Sequence, residues 1–452
     1  MKSTKNLTEG NLYLNLLFYS VPLILSSILS QAYSTVDSII AGKFINEFAV
    51  GAISATTSFE IVSDSLIRGL AGGFSIYIAQ LFGRGSYSTI KRGIVGMSAF
   101  VALLSAGFST FAILLRNPIM TFLQIDAVLL SDALTYFTIY HLGLIVLYVN
   151  HLFVAVLHAL GITSFSFYVS LISAVLNIAG NLLTVVVLDM GVAGLALSTL
   201  LSALAASVVY LVMLRRAFGE MDSDPIPRRP DFSCVSSSMR YTLPHALQLL
   251  SFHGVTLIIA PLINHLGAEA TTGYSIANRI YALGTIGLWA FASAFGCYTG
   301  QCVGKRDAEK IKKGLRVGFE MCCATVLPFV VAIVLLAKPF AALFFPDGYT
   351  GDAYTYAVRY ATVFFPLVYV QLVGHLFHTY LRSLGRVSVV LWITLIGSVT
   401  RVAGAMILIP LIGIDGTFIA QVLSWAVDGA ICYVIYFRRY RTSNHLSCLL
   451  RE

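Results

Sequence analysis

The fold this sequence predicts is an all-α integral membrane protein of about twelve transmembrane helices, built as two parallel six-helix repeats around a central cavity. Three observations predict it: an apolar and weakly charged composition, a series of apolar stretches at bilayer-spanning length, and a match between the two halves at a nearly constant offset. Of the 452 residues, 58% are hydrophobic and 11% charged, and the mean hydropathy is +0.84. Soluble chains carry about 25% charged residues, so in water this chain would be nearly all core with almost no polar shell. A bilayer solvates such a surface directly, and about 20 apolar residues cross it as a helix.

Apolar stretches of that length occur near 12–41, 48–82, 94–115, 133–157, 164–188, 190–214, 241–266, 272–303, 317–337, 354–381, 387–412 and 414–437. The first is far longer than the apolar region of a signal peptide, about 7–15 residues, and is expected to stay as a span. Several exceed the minimal length, which implies tilt, bending or extension into water. With the N-terminus inside, the cytoplasmic segments hold 22 Lys and Arg and the outer loops only Lys43, Arg116, Lys338 and Arg359. The positive-inside rule then places both termini in the cytoplasm of a multi-pass cell (inner or plasma) membrane protein. The net charge of +8 is spread over those loops. The basic run 305–316 is therefore read as a solvated loop facing anionic lipid, not a nucleic-acid patch. The seven cysteines show neither metal-ligand spacing nor a disulfide framework and are read as small core residues.

The repeat fixes the organisation. His151-Leu152-Phe153 with Leu157, Leu160 and Gly161 recurs in the second half as His375-Leu376-Phe377 with Leu381, Leu384 and Gly385. Gly191 and Gly194 recur as Gly413 and Gly416, Gln80 and Gly83 as Gln301 and Gly304, and Pro22 as Pro244. Six spans per unit make the copies parallel, an arrangement that favours a site between repeats and alternating access. The expected division is an N-lobe over 1–214, a polar cytoplasmic linker over 215–240, a C-lobe over 241–437 and a cytoplasmic tail over 438–452.

Charge within a span costs about 2.5–3.5 kcal/mol on insertion scales and is a functional signal by default. Asp37 leads: it lies in the outer part of the first span, one turn after Tyr33 on the same face. Its repeat position is Ile259, so the scaffold itself requires no carboxylate there. Asn177 and Asn181 share a face of the fifth span, and their repeat positions are Arg401 and Ala405; Thr199 of the sixth span matches Gln421. Oxygen-bearing side chains from three helices suit a monovalent cation or a carboxyl proton network, against a reading as interhelical amide glue. On the second span Glu60, Asp64 and Arg68 form one stripe, in which Asp64 and Arg68 neutralise each other and Glu60 is the unpaired carboxylate. Arg279 and Arg401 are further intramembrane cations, more often partners of carbonyls or carboxylates than ligand sites, although Arg401 stands where Asn177 does in the repeat. His151 and His375 are read as structural, while His253, at the repeat position of Gln31, is a titratable candidate. The glycines of 69–73 and 83–85 lack the Lys-Ser/Thr ending of a phosphate loop. With no room for a nucleotide-binding domain, the expectation is a transporter rather than an enzyme, driven by an ion gradient, without cofactor or metal, and acting as a monomer in the lipid bilayer.

The opening Leu7-Thr8-Glu9-Gly10, Pro22 and Gln31-Ala32-Tyr33-Ser34-Thr35-Val36-Asp37 with Gly42, the stretch from Gln80 to Gly85, Gly191-Val192-Ala193-Gly194 before Thr199, and Gly300-Gln301 carry a family resemblance. In order and spacing they resemble multidrug and toxic compound extrusion (MATE) transporters, particularly the DinF-like branch, of the multidrug/oligosaccharidyl-lipid/polysaccharide flippase superfamily. The resemblance covers the whole chain. It implies export of organic cations and other amphipathic small molecules in exchange for H⁺ or Na⁺. It puts the first-helix carboxylate on Asp37 with Tyr33 beside it, the bending proline on Pro22, the fifth-helix Asn on Asn177 and the sixth-helix Thr on Thr199. The chain departs from the pattern at Asn181, where the family has an acid, which favours proton over sodium coupling. The expected substrate cavity is lined by Tyr33, Gln31, Glu60, Arg401 and His253. The alternative is a flippase for lipid-linked anionic precursors, motivated by Arg68, Arg279 and Arg401; a channel or sensor is disfavoured by the two-fold repeat.

Overall fold

The computed structural model describes residues 6–45, 49–123, 125, 127–221, 229–344 and 350–439. Within them the chain is helical throughout, as the composition demands: in lipid, backbone polar groups must pair within their own segment. In the first half the helices are α1 (Leu12–Phe44), α2 (Ala49–Gly83), α3 (Tyr87–Leu114), the short α4 (Arg116–Phe122), α5 (Ala127–Leu142), α6 (Leu144–Ala159), α7 (Ser164–Asn181) and α8 (Gly191–Met221). The second half holds α9 (Phe232–Asn264), α10 (Ala268–Gly284), α11 (Ile286–Gly304), α12 (Ala308–Leu335), the short α13 (Ala337–Ala342), α14 (Asp352–Arg359), α15 (Val368–Ser383), α16 (Val387–Ile412) and α17 (Ile414–Arg439). Among the described residues ten helical segments are long and apolar enough to cross a membrane, and two bent pairs, each taken as one span, raise the number to twelve.

Those bent pairs modify two of the expected spans. The stretch 133–157 is broken between α5 and α6 by 52°, at Gly143, and 272–303 between α10 and α11 by 40°, at Thr285. Thr285 Oγ1 donates to the Tyr281 carbonyl at 2.8 Å, a back-bond that bends helices. A third irregularity lies in the tenth span, where a π turn (Tyr360–Phe364) and a 3₁₀ turn (Phe365–Leu367) separate α14 from α15. Pro366 lacks an N–H and disfavours α geometry in the residue before it.

The repeat is written in the backbone as well as in the residues. Gly161 and Gly385 both end helices with positive φ, 80° and 83°. Their hydrogen bonds correspond: Gly161 N to His158 O with Ile162 N to Leu157 O, and Gly385 N to Arg382 O with Arg386 N to Leu381 O. This pair of bonds is the Schellman termination, which favours glycine. Gly191 and Gly413 share a positive φ as well, at 56° and 64°.

The chain divides into two compact units, one of Met1–Asn6 with Val21–Ala246, the other of Leu7–Ser20 with Leu247–Glu452. In this division each opening helix begins in the unit that holds most of the other half. In the first unit the start of α9 lies against α2, with Tyr241 Oη donating to Gln80 Oε1 at 3.1 Å. Gly69 and Gly73 make that approach possible: a Cβ on either would sit 2.3 Å from the Cα of Ala246 or Thr242. The glycines of 69–73 thus serve helix packing. In the second unit the segment before α1 is held by Gln301, the repeat partner of Gln80, whose Oε1 accepts from Leu7 N at 2.9 Å. Lys305 Nζ donates to Thr8 Oγ1 at 2.7 Å, and Tyr13 Oη to Glu320 Oε2 at 2.7 Å. The expected linker 215–240 is helical at both ends, within α8 and α9, and its residues 222–228, with Asp222, Asp224, Pro225, Pro227 and Arg228, lie outside the described residues. Of the expected tail, 440–452 also lies outside them.

Because the obstruction at Gly73 is backbone, Gly73→Ala is expected to cost about 1–3 kcal/mol through overpacking. This is measurable as a lower unfolding midpoint of the purified protein, with Gly107→Ala, which meets nothing within 4 Å, as the neutral control.

Candidate functional site

In the first unit four of the sequence-selected residues come together on three helices. Asn177 and Asn181, four apart on α7, are both buried, at 2% and 0% exposure. Asn181 Nδ2 donates to Asp37 Oδ1 on α1 at 2.6 Å and lies 3.3 Å from Asn177 Oδ1. Asn177 Nδ2 in turn donates to Thr199 Oγ1 on α8 at 3.4 Å, whose hydroxyl bonds back to the Leu195 carbonyl at 3.1 Å. The result is a chain of polar groups running from the carboxylate through two amides to a hydroxyl. Its strongest link is the charge-assisted bond to Asp37, a kind worth about 1.5–3 kcal/mol. Asn181 Oδ1 is buried and has no hydrogen-bond partner among the described residues, so an acceptor stands open beside the carboxylate.

Local sequence explains how these side chains meet. Gly180 and Gly194 let α7 and α8 approach: added Cβ atoms would lie 3.1 Å from Ser198 Oγ and 2.9 Å from Thr184 Oγ1. Directly after Asn181 the helix loosens into a π turn, Leu182–Val187, a rare form often found at functional sites. One turn beyond the polar chain, Ile40, Ala41, Val185, Val192 and Leu195 form an apolar cluster with Val36 and Tyr136 packed against it. That layer closes one end of the chain and keeps it in low-dielectric surroundings.

The other candidates are placed differently. Tyr33 and Asp37 are both half-buried on α1, and Gln31 is exposed. Pro22 lies inside α1, which continues through it, with Ser26 Oγ donating to its carbonyl at 2.9 Å. Glu60 is not in the polar chain; its Oε1 accepts from Thr56 Oγ1, one turn earlier on α2, at 2.8 Å. Asp64 pairs with Arg68, as the spacing predicts, and also with His151 Nε2 at 3.0 Å. His151 thereby gains a partner that spacing could not supply. Arg68 remains exposed.

Arg401 and His253 belong to the second unit. Arg401 is buried, and its Nε has no hydrogen-bond partner among the described residues. His253 is half-buried, its ring edge-on to Phe252. Arg279 is exposed and sits over the Phe344 ring, 5.7 Å from its centroid, rather than on a carboxylate. His375 packs its ring against Trp289 at 4.3 Å. A carboxylate that the sequence reading does not single out, Asp428, lies in α17 and lines a cavity of this unit. A lone acid in an apolar span is the same signal that marks Asp37.

A MatE family model matches residues 22–183 and again 244–407. The chain belongs to the MatE family. The two matched stretches begin at the repeat-related prolines Pro22 and Pro244, so the unit that defines the family is the repeat described above. MatE proteins are multidrug-efflux transporters of the membrane, not an enzyme family. Among curated proteins, this MatE chain is 24% identical to the probable multidrug resistance protein YpnP of Bacillus subtilis, over 81% of this chain and 82% of that one. It is 22% identical to the probable multidrug resistance protein NorM of Photorhabdus laumondii, over 74% of each, and 21% identical to an FAD transporter of Shewanella oneidensis, over 77% of each. Among solved structures, a MOP-superfamily transporter from Pyrococcus furiosus aligns over 100% of both chains with a TM-score of 0.89 at 19% identity. A MATE protein in complex with MaL6 aligns over 99% of both at 0.88 and 19%. At these identities the structures speak for the fold alone.

The polar chain makes unequal demands on its members. Asn181→Ala is expected to destabilise the protein by about 1.5–3 kcal/mol, because it strips a carboxylate of its donor. Thr199→Ala should cost only about 0.6 kcal/mol, an ordinary interhelical bond. Unfolding titrations in detergent compare the two, and equal losses would show that Asp37 does not depend on Asn181.

Proposed function

We propose that this MatE protein is a secondary antiporter that exports organic cations and other amphipathic solutes in exchange for a proton, by alternating access. The observation that carries this reading is the contact between Asp37 and Asn181. A carboxylate inside a span can hold one exchangeable positive charge, and an amide, unlike a second acid, adds no further negative charge. The carboxylate is tied to α7 through an N–H donor, a bond made to its ionised form. Protonation weakens that bond, and so the charge on Asp37 changes how firmly α1 is held to α7. A ligand that binds one conformation better than another shifts the population between them, and a proton on Asp37 is such a ligand. Pro22, which lacks an N–H to complete the helical ladder, is the position at which α1 bends. Two curated relatives named as multidrug resistance proteins support an amphipathic drug as substrate. The placement is a multi-pass inner or plasma membrane protein with both termini in the cytoplasm, acting as a monomer without cofactor.

A second reading, transport of an anionic solute such as a lipid-linked precursor, is favoured by one observation. Arg401 is buried in the second unit, its Nε without a partner among the described residues, and a guanidinium is suited to phosphate. The Shewanella oneidensis relative named as an FAD transporter fits that chemistry.

Asp37→Asn is expected to abolish drug resistance in a sensitive host while leaving expression in the membrane intact, since an amide cannot carry the proton. Full resistance at normal expression would remove Asp37 from the mechanism. Arg401→Ala separates the two readings. Drug export should survive it, whereas loss of a cell-envelope phenotype with unchanged drug export would favour the anionic substrate.

A further inference from the structure

We propose that a groove in the second unit, between α12, α15 and α17, is a binding site for the headgroup of one anionic phospholipid. The groove has a volume of about 620 Å³, within the range of about 300–1,000 Å³ usual for small-molecule sites. Its charged lining is Glu309, Lys312, Lys313 and Arg316, all near the start of α12, so cations outnumber acids three to one. Below them Phe319 of α12, Phe377 of α15 and Tyr436 of α17 supply an apolar floor. Phe319 packs edge-on to Phe377 with centroids 5.2 Å apart, and Phe377 lies 5.4 Å from Tyr436. Such rings, apolar on one side and wet on the other, suit the membrane–water interface, and basic pockets between transmembrane helices hold anionic lipid headgroups.

The cations are left open by the protein itself. Near this end of α12 the ion pairs among the described residues join Lys310 to Asp307 and Arg316 to Glu320. None takes Lys312 or Lys313, which are exposed. Glu309 precedes them by three and four residues, the spacing at which helix ion pairs form, yet it joins neither. Arg316 uses only Nε, which donates to Glu320 Oε1 at 3.1 Å, and Glu320 is anchored from its other oxygen by Tyr13 Oη at 2.7 Å. The two terminal amino groups of the guanidinium are therefore without partners among the described residues. Lys312 and Arg316 lie one turn apart on one face, where like charges repel, and a phosphate diester between them relieves that repulsion.

The rest of that face says which phosphate fits. Beyond Arg316 and Glu320, the same face of α12 carries the exposed Leu327, Val331 and Leu335. A basic head followed by an exposed apolar stripe has the order of a phospholipid, charged headgroup first and acyl chain after it; a soluble phosphate ester would leave the stripe unused. The first half has no such groove chemistry. Arg316, Phe319 and Tyr436 stand in the repeat where Val95, Ser98 and Leu214 do, and Lys312 stands where Lys91 does, a lysine that is buried. Duplicated packing therefore does not account for the cluster. The proposed orientation of the chain puts this end of α12 in the cytoplasmic leaflet, but the binding itself depends neither on that orientation nor on the role proposed for Asp37.

Native mass spectrometry of the full-length protein in detergent tests this, with dioleoyl phosphatidylglycerol titrated beside dioleoyl phosphatidylcholine and with glycerol 3-phosphate as a chainless competitor. Saturable retention of phosphatidylglycerol over phosphatidylcholine is expected, undisturbed by glycerol 3-phosphate. At about fivefold per basic residue near an anionic lipid, Lys312→Gln/Lys313→Gln should weaken it about 25-fold and Arg316→Gln about fivefold. Arg84→Gln/Arg92→Gln removes the same charge from exposed positions of the first unit and should leave retention unchanged, as should Asp37→Asn. Folding of each variant is checked by its unfolding midpoint in lipid-free detergent. The proposal is overturned by equal retention of the two lipids, or by a folded Lys312→Gln/Lys313→Gln or Arg316→Gln protein that binds like the unaltered one. Displacement by glycerol 3-phosphate also overturns it, in favour of a soluble phosphate ester. So does an equal loss in Arg84→Gln/Arg92→Gln, because overall charge then accounts for the binding.

Discussion

A carboxylate inside a span has to be answered by something. In the first unit Asp37 is answered by the amide of Asn181 at 2.6 Å, and much of the surrounding architecture serves that one bond. Gly180 and Gly194 bring α7 and α8 close enough for Asn177 to relay from Asn181 to Thr199. The apolar cluster around Ile40, Val185 and Leu195 closes one end of the relay. Low-dielectric surroundings raise the cost of leaving any member unpaired. A neutral donor, in place of a fixed cation such as the Arg68 that pairs with Asp64, leaves the charge of Asp37 unneutralised, as the proposed exchange requires.

The repeat supplies the scaffold and is then broken where chemistry is needed. Turn glycines match in residue, φ and hydrogen bonds at Gly161 and Gly385. Gln80 and Gln301 each hold the opening segment of the other half's first helix. Yet Asp37 faces Ile259 in the alignment of halves, and Asn177 faces Arg401. At these positions the duplicated residues carry packing, and the departures from the repeat carry charge.

Much of this is legible in the sequence, for reasons that also mark where it stops. Membrane class and repeat are readable because hydropathy and spacing are properties of the chain itself. The shared face of Asn177 and Asn181 is readable from their separation of four. Their meeting with Asp37 joins the fifth span to the first, and no spacing rule reaches so far along the chain; only the family resemblance points to it. Glu60 joins the candidate cavity on sequence because a lone acid in a span is conspicuous, but Thr56 one turn earlier already bonds to it. The breaks at Gly143 and Thr285 fall inside apolar runs, where hydropathy is blind to backbone direction. The swapped opening helices are hidden for a similar reason, since polar segments mark where the chain leaves the bilayer and not which bundle it joins. Asp428 gives the same sequence signal as Asp37; what distinguishes it, the cavity that it lines, exists only in three dimensions.

The central claim, that one exchangeable proton on Asp37 drives export, is tested most directly in proteoliposomes loaded with a fluorescent organic cation and given one ion gradient at a time. A pH gradient alone should drive transport of the dye, and a Na⁺ gradient at equal pH should not. Transport driven by sodium alone, or by protons in the Asp37→Asn protein, would contradict the account.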